Sequence, residues 1–82
     1  MIKTKVSLAT INDVKDFVNT VAKYSFDIDL VSGRYAVDAK SIMGIFSLDL
    51  SKPIGLNAYT GEDDGAADEF LKDISRFEIV NN

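Results

Sequence analysis

Lys40-Ser41-Ile42-Met43-Gly44-Ile45-Phe46-Ser47-Leu48 gathers a hydroxyl, a helix start and an apolar surface into one short stretch. Ser41 suits the N-cap position, where its side-chain oxygen accepts a hydrogen bond from one of the first backbone N–H groups of a helix, which otherwise lack partners. Ile42, Ile45 and Phe46 recur at three and four residues and make one side of that helix apolar, while Met43 falls outside that side and is left for solvent. A phosphate ester on Ser41 would lie where the helix dipole favours an anion, by about 0.3–1 kcal/mol at an exposed site. The chemistry this points to is reversible phosphorylation beside a docking surface made of Ile42, Met43 and Phe46, with Lys40 as a charge on its rim. The plainer reading of the same residues is a helix cap followed by core packing.

Other chemistry is scarce. The chain has no His and no Cys, so a phosphohistidine relay, imidazole acid–base catalysis, His or thiolate metal ligation and disulfides are all excluded. The acidic run Glu62-Asp63-Asp64, with Asp68 and Glu69, invites calcium, but its spacing does not fit an EF-hand loop, and Asp63 or Asp64 serves better as the cap of a helix. Tyr24, Tyr35 and Tyr59 are too dispersed for a base-stacking platform and are assigned to the edge of the core. A net charge of −4 argues against direct nucleic-acid binding. Neither a cofactor site nor a metal site is expected.

Several elements must position these residues. Ile2 to Leu8 alternates, with Ile2, Thr4, Val6 and Leu8 on one face, as in a half-buried strand. Asn12 as cap, Asp13 and Asp16 in the first turn, and an apolar stripe of Val14, Phe17, Val18, Val21 and Ala22 predict a helix from about Asp13 to Tyr24. Phe26, Ile28 and Leu30, then Ser32-Gly33, then Tyr35, Val37 and Ala39 predict an antiparallel hairpin. The short helix at Ser41 follows, then a turn at Ser51-Lys52-Pro53 and a weaker strand carrying Ile54, Leu56 and Ala58. Ala67, Phe70, Leu71, Ile74 and Phe77 mark a last amphipathic helix from about Gly65 to Phe77, and Glu78 to Asn82 are expected to fray. The order βαββαβα is α+β, an open-faced sandwich with helices segregated on the apolar side of an antiparallel sheet. Eighty-two residues, 46% of them hydrophobic and 27% charged, suit a single ordered domain over residues 1–82. No stretch resembles a signal peptide or a membrane span, so a cytoplasmic location is expected.

The stretch from Lys40 to Gly44, followed by Ser47-Leu48, resembles the regulatory-serine segment of HPr, the small phosphocarrier of the bacterial sugar phosphotransferase system. Thr20-Val21-Ala22-Lys23-Tyr24 and Asp27-Ile28-Asp29-Leu30 resemble the end of that family's first helix and its second strand. Gly61-Glu62-Asp63-Asp64 with Ala67 resembles the entrance to its last helix. The resemblance runs from Val18 to Arg76 and fails at the N-terminal end, where an HPr carrier holds its phosphorylatable His, then an Arg and a Pro that opens the helix. Carried back without a gap, those positions fall on Thr10, Asn12 and Asp13, all three substituted, in a shortened loop. A phosphothreonine ester lacks the transfer potential of a phosphoimidazole, so Thr10 is not expected to relay phosphate.

What the resemblance implies is a four-stranded antiparallel sheet with three helices stacked on one face, and a protein that is not an enzyme. With the His lost and the Ser segment kept, the chain is closer to the catabolite-repression HPr paralogue, often called Crh. The resemblance further implies phosphorylation of Ser41 by an HPr kinase/phosphorylase and binding of the phosphorylated form to a LacI-type transcription regulator. The competing expectation is an HPr-fold paralogue that pairs constitutively with a protein partner and carries no phosphate.

Overall fold

The computed structural model describes residues 1–79. Four strands, β1 (Ile2–Val6), β2 (Ile28–Ser32), β3 (Tyr35–Asp38) and β4 (Ile54–Ala58), alternate with three helices, α1 (Ile11–Val21), α2 (Ile42–Phe46) and α3 (Asp64–Ile74), and a 3₁₀ turn covers Ser75–Phe77. The sheet order is β1-β4-β2-β3, antiparallel throughout. The expected α+β open-faced sandwich, in the order βαββαβα, is the architecture observed.

Register explains why one face is covered. Thr4, Leu56, Leu30 and Val37 align across the sheet as one row, and the next row, Lys3, Asn57, Asp29 and Asp38, points the opposite way. Because strand side chains alternate faces, the apolar row meets the helices and the charged row faces water. Leu30, Ile54, Leu56 and Ala58 are fully buried there, against Val14, Phe17 and Val21 of α1, Ile45 of α2 and Phe70 and Ile74 of α3. Full burial of each large side chain contributes about 1.5–3 kcal/mol of transfer free energy. Aromatic rings close both ends of the layer. Phe17 meets Phe77 edge-on at 5.3 Å, and Phe70 stands edge-on to Tyr24 at 5.2 Å and to Phe26 at 5.4 Å. Such edge contacts align positive ring edges with negative ring faces.

Turn chemistry sets the hairpin. Ser32 pairs with Tyr35, leaving a two-residue loop whose first residue, Gly33, has φ +60°, a conformation that fits the twist of the flanking strands and that costs glycine little.

Three expectations need correction. The first helix begins at Ile11 and is capped by Thr10 rather than Asn12, because Thr10 and Asp13 form a reciprocal capping box that satisfies more free N–H groups than Asn12 could. Glu78 and Ile79 are paired, not frayed. Glu78 bridges Val6, Ile79 N–H donates to the Lys5 carbonyl at 3.1 Å, and the Thr4 hydroxyl donates to the Glu78 carboxylate at 2.8 Å, so the outer edge of β1 is covered. The remainder of the expected frayed end, Val80 to Asn82, lies outside the described residues. Of the three tyrosines assigned to the core edge only Tyr24 is buried; Tyr35, at the tip of an edge strand, is 73% exposed and Tyr59, just past the end of β4, is 46% exposed.

Candidate functional site

Ser41 sits where the sequence places it, at the N-cap of α2. Its backbone is extended (φ −102°, ψ 107°), its carbonyl accepts from Ile45 N–H at 3.0 Å, and its hydroxyl oxygen accepts from Gly44 N–H at 3.2 Å. The residue is exposed. A Cβ on Gly44 would lie 3.3 Å from the Ser41 oxygen and 3.3 Å from Val37 Cβ, so the glycine leaves the space in which the capping serine and β3 meet the helix.

The turn ahead of Ser41 is held by Asp38. Its carboxylate accepts from Lys40 N–H at 2.8 Å and its carbonyl from Ser41 N–H at 3.0 Å. Lys40 departs from the expected rim charge. Its ammonium turns inward and donates to the carbonyls of Tyr24, at 2.5 Å, and Phe26, at 3.0 Å. A cation committed to two backbone carbonyls is poorly placed to meet a partner's carboxylate or phosphate.

The expected apolar surface divides in two. Met43 is 78% exposed and Phe46 41% exposed, whereas Ile42 is half-buried against the core and Ile45 is fully buried. A further exposed apolar residue, Ile11 at 62%, opens α1, the helix that packs against α2. Sequence reasoning missed it because placing the cap at Asn12 and the helix start at Asp13 left Ile11 in the loop. The available signal was Thr10 followed three residues later by the acidic Asp13, the pattern of a reciprocal cap.

Thr10 is exposed but its hydroxyl is occupied, accepting from Asp13 N–H at 3.0 Å. The Asp13 carboxylate in turn accepts from the N–H groups of Ala9 and Thr10, both at 3.2 Å. An anion beside the hydroxyl opposes the approach of a phosphoryl donor. Arg76 lines a shallow cleft with Ser7, Asp13 and Phe77, but it is engaged there, pairing with Asp16 at 2.9 Å and stacking 4.4 Å over the Phe77 ring.

Just beyond the C-terminal end of α1, Tyr24 donates its phenol proton to the Asp73 carboxylate, which also pairs with Lys23 at 3.0 Å. Those two contacts, the tyrosine's first, hold the Asp73 carboxyl below the usual carboxylate range. Burial, reinforced by the bond to Asp73, pushes the Tyr24 phenol well above its ordinary value. Asp63 caps α3 by accepting from Ala66 N–H at 3.0 Å, as the acidic loop suggests, and the described residues contain no cluster of carboxylates able to hold a metal ion. Among them, no helix is long and apolar enough to cross a membrane.

Residues 12–78 match the family model described as the PTS HPr component phosphorylation site. The match begins two residues after Thr10. Among solved structures, HPr-C-His from Thermoanaerobacter tengcongensis is 31% identical, with a TM-score of 0.70 and coverage of 90% of each chain. The phosphocarrier protein HPr from Bacillus anthracis str. Ames is 21% identical, with a TM-score of 0.64 over 88% of this chain and 94% of its own. The histidine-containing phosphocarrier protein of a Mycoplasma is 14% identical, with a TM-score of 0.66 over 92% of this chain and 91% of its own. No curated protein matches. HPr proteins are phosphocarriers, not enzymes, and work through protein contacts in the phosphotransferase system. A family match that spans most of the chain, and a 31% identical relative with the same fold, make this protein a member of the HPr family.

Proposed function

We propose that this HPr-family chain is a single-domain, cytoplasmic, non-catalytic regulator related to the sugar phosphotransferase system, switched by phosphorylation of Ser41 and closest in logic to Crh. The observation that carries the reading is the exposed Ser41 hydroxyl at the mouth of α2 beside the exposed Met43 and Phe46, in a chain without histidine. Phosphorylation adds about −1.5 to −2 charges at neutral pH. Because Lys40 is bound elsewhere, its ammonium is not at hand to neutralise that charge, which stays available to an Arg or Lys pair on a partner. Met43 and Phe46 supply the apolar contact, with Ile42 behind them. In this reading the kinase is an HPr kinase/phosphorylase and the receiver of the phosphorylated form is a LacI-type regulator acting in catabolite repression.

The test is incubation with HPr kinase/phosphorylase and ATP followed by intact-mass measurement. The reading expects one added phosphate on the parent chain and none on Ser41→Ala. An unmodified parent chain, or a phosphate that survives Ser41→Ala, overturns it. The second reading, constitutive pairing without phosphate, is favoured by the Ser41 oxygen being already engaged as a cap. It expects Ser41→Asp to leave partner binding unchanged.

A further inference from the structure

Lys40 is the residue whose placement the proposed function leaves unused. Its side chain leaves the turn before α2 and crosses to the loop between α1 and β2, where the ammonium donates to the carbonyls of Tyr24 and Phe26. Helix α1 ends at Val21 with no basic residue in its last turn. A cation brought in from outside the helix therefore reaches two loop carbonyls shortly after its C-terminal end. The carbonyls gain a strong donor and Lys40 gains a fixed position, since hydrogen bonds from an ionised donor are roughly twice as strong as neutral ones.

The consequence falls on the next residue. Ser41 can cap α2 only while its backbone stays extended and its oxygen stays within reach of Gly44 N–H. The backbone here is otherwise tied to the rest of the fold by Ala39, whose N–H donates to the Ile28 carbonyl at 2.9 Å, while the bonds to Asp38 lie within the turn itself. The buried side chains of Ala39 and Ile45 hold the two flanks of the turn, and the Lys40 bonds, reaching a different loop, fix the stretch between them.

We infer that Lys40 is a positioning residue: by anchoring the turn to the α1–β2 loop it fixes the Ser41 cap, and with it the presentation of the Ser41 hydroxyl to a kinase. The role in presentation rests on the phosphorylation proposed above; the anchoring of the cap does not.

The experiment compares the full chain with Lys40→Met, which keeps an unbranched stem but no charge, and Lys40→Arg, which restores a donor. Amide hydrogen exchange is read at Gly44, whose N–H bonds to the Ser41 oxygen, and at Leu56 in the central strand β4. The expected result is exchange at Gly44 about five- to thirtyfold faster in Lys40→Met, with Leu56 unchanged and with partial or full recovery in Lys40→Arg. Unchanged exchange at Gly44, or equal acceleration at Leu56, overturns the inference. In parallel, kcat/KM for Ser41 phosphorylation by the same kinase should fall in Lys40→Met and recover in Lys40→Arg; an unaltered value overturns the role in presentation. Should the parent chain accept no phosphate, the proposed function fails and exchange alone decides the anchoring.

Discussion

Gly44 and Ser41 face each other across the first turn of α2, with the glycine N–H donating to the serine oxygen at 3.2 Å and no Cβ between them. Gly44→Ala gains about 0.8–1 kcal/mol of helix propensity, but its methyl would lie 3.3 Å from both the Ser41 oxygen and Val37 Cβ. The serine can rotate away only by giving up the cap, worth about 0.5–2 kcal/mol, and Val37 Cβ is carried by the sheet backbone. Crowding of this kind costs about 1–3 kcal/mol. A net destabilisation of about 1 kcal/mol is expected in urea unfolding, and a stabilised Gly44→Ala would show that the turn relaxes freely.

Ser41→Ala and Ser41→Asp separate the cap from the charge. Alanine accepts no hydrogen bond and should lose about 1 kcal/mol, whereas aspartate caps as well as serine and should stay within about 0.5 kcal/mol of the parent. Thermal unfolding of the three chains checks this ordering, and equal midpoints would mean that the Ser41–Gly44 bond contributes nothing.

Thr10 should behave as a cap and not as a carrier. Thr10→Ala removes its half of the capping box, with an expected loss of about 0.5–2 kcal/mol. The parent chain, given phosphoenolpyruvate, enzyme I and labelled phosphate, should take up no label, since it has no imidazole. Label at Thr10 would contradict the reading of the loop.

Tyr24→Phe should flatten the pH dependence of stability at both extremes. The Asp73 carboxyl is held below its ordinary value near 3.8, so its contribution is present above that pH and is lost as pH falls through the lower folded value. The Tyr24 phenol is raised above 10.0, so its contribution is complete below pH 10 and is lost as pH climbs toward the folded value. Without the phenol, Asp73 keeps only Lys23 and the alkaline group is gone. Unfolding midpoints from pH 2 to 11 should therefore fall less steeply at each end in the variant; parallel curves would reject the coupling.

Phe70→Ala should come close to unfolding the protein. The ring is fully buried and edge-on to both Tyr24 and Phe26, and truncating such a residue costs about 3–5 kcal/mol, a large share of what a domain this small holds. Chemical denaturation measures it, and a loss under about 1 kcal/mol would mean that the neighbouring rings refill the space.

Much of the fold was legible along the chain because period-2 and period-3.6 patterns report which residues share a face. Leu30, Leu56 and Ala58, or Phe70 and Ile74, are buried as their spacing requires. Boundaries were less legible. Asn12 and Thr10 are both good caps in isolation, and only the reciprocal bond with Asp13 decides between them. At the site, the Ser41 cap follows from local chemistry within one turn, whereas Lys40 was misread because its partners, Tyr24 and Phe26, are remote in sequence.

Taken alone, the amino-acid sequence determined the order of elements, the apolar face of each, the cap at Ser41 and the absence of any histidine chemistry. These depend on residue type and short-range spacing. Tertiary structure alone decided that Lys40 turns inward, that Phe46 faces solvent although it shares the apolar side with Ile45 while Ile42 is half covered, and that Glu78 closes the edge of β1. Each of those outcomes depends on which distant backbone atoms folding brings within hydrogen-bond or van der Waals reach, and spacing along the chain carries no record of that distance.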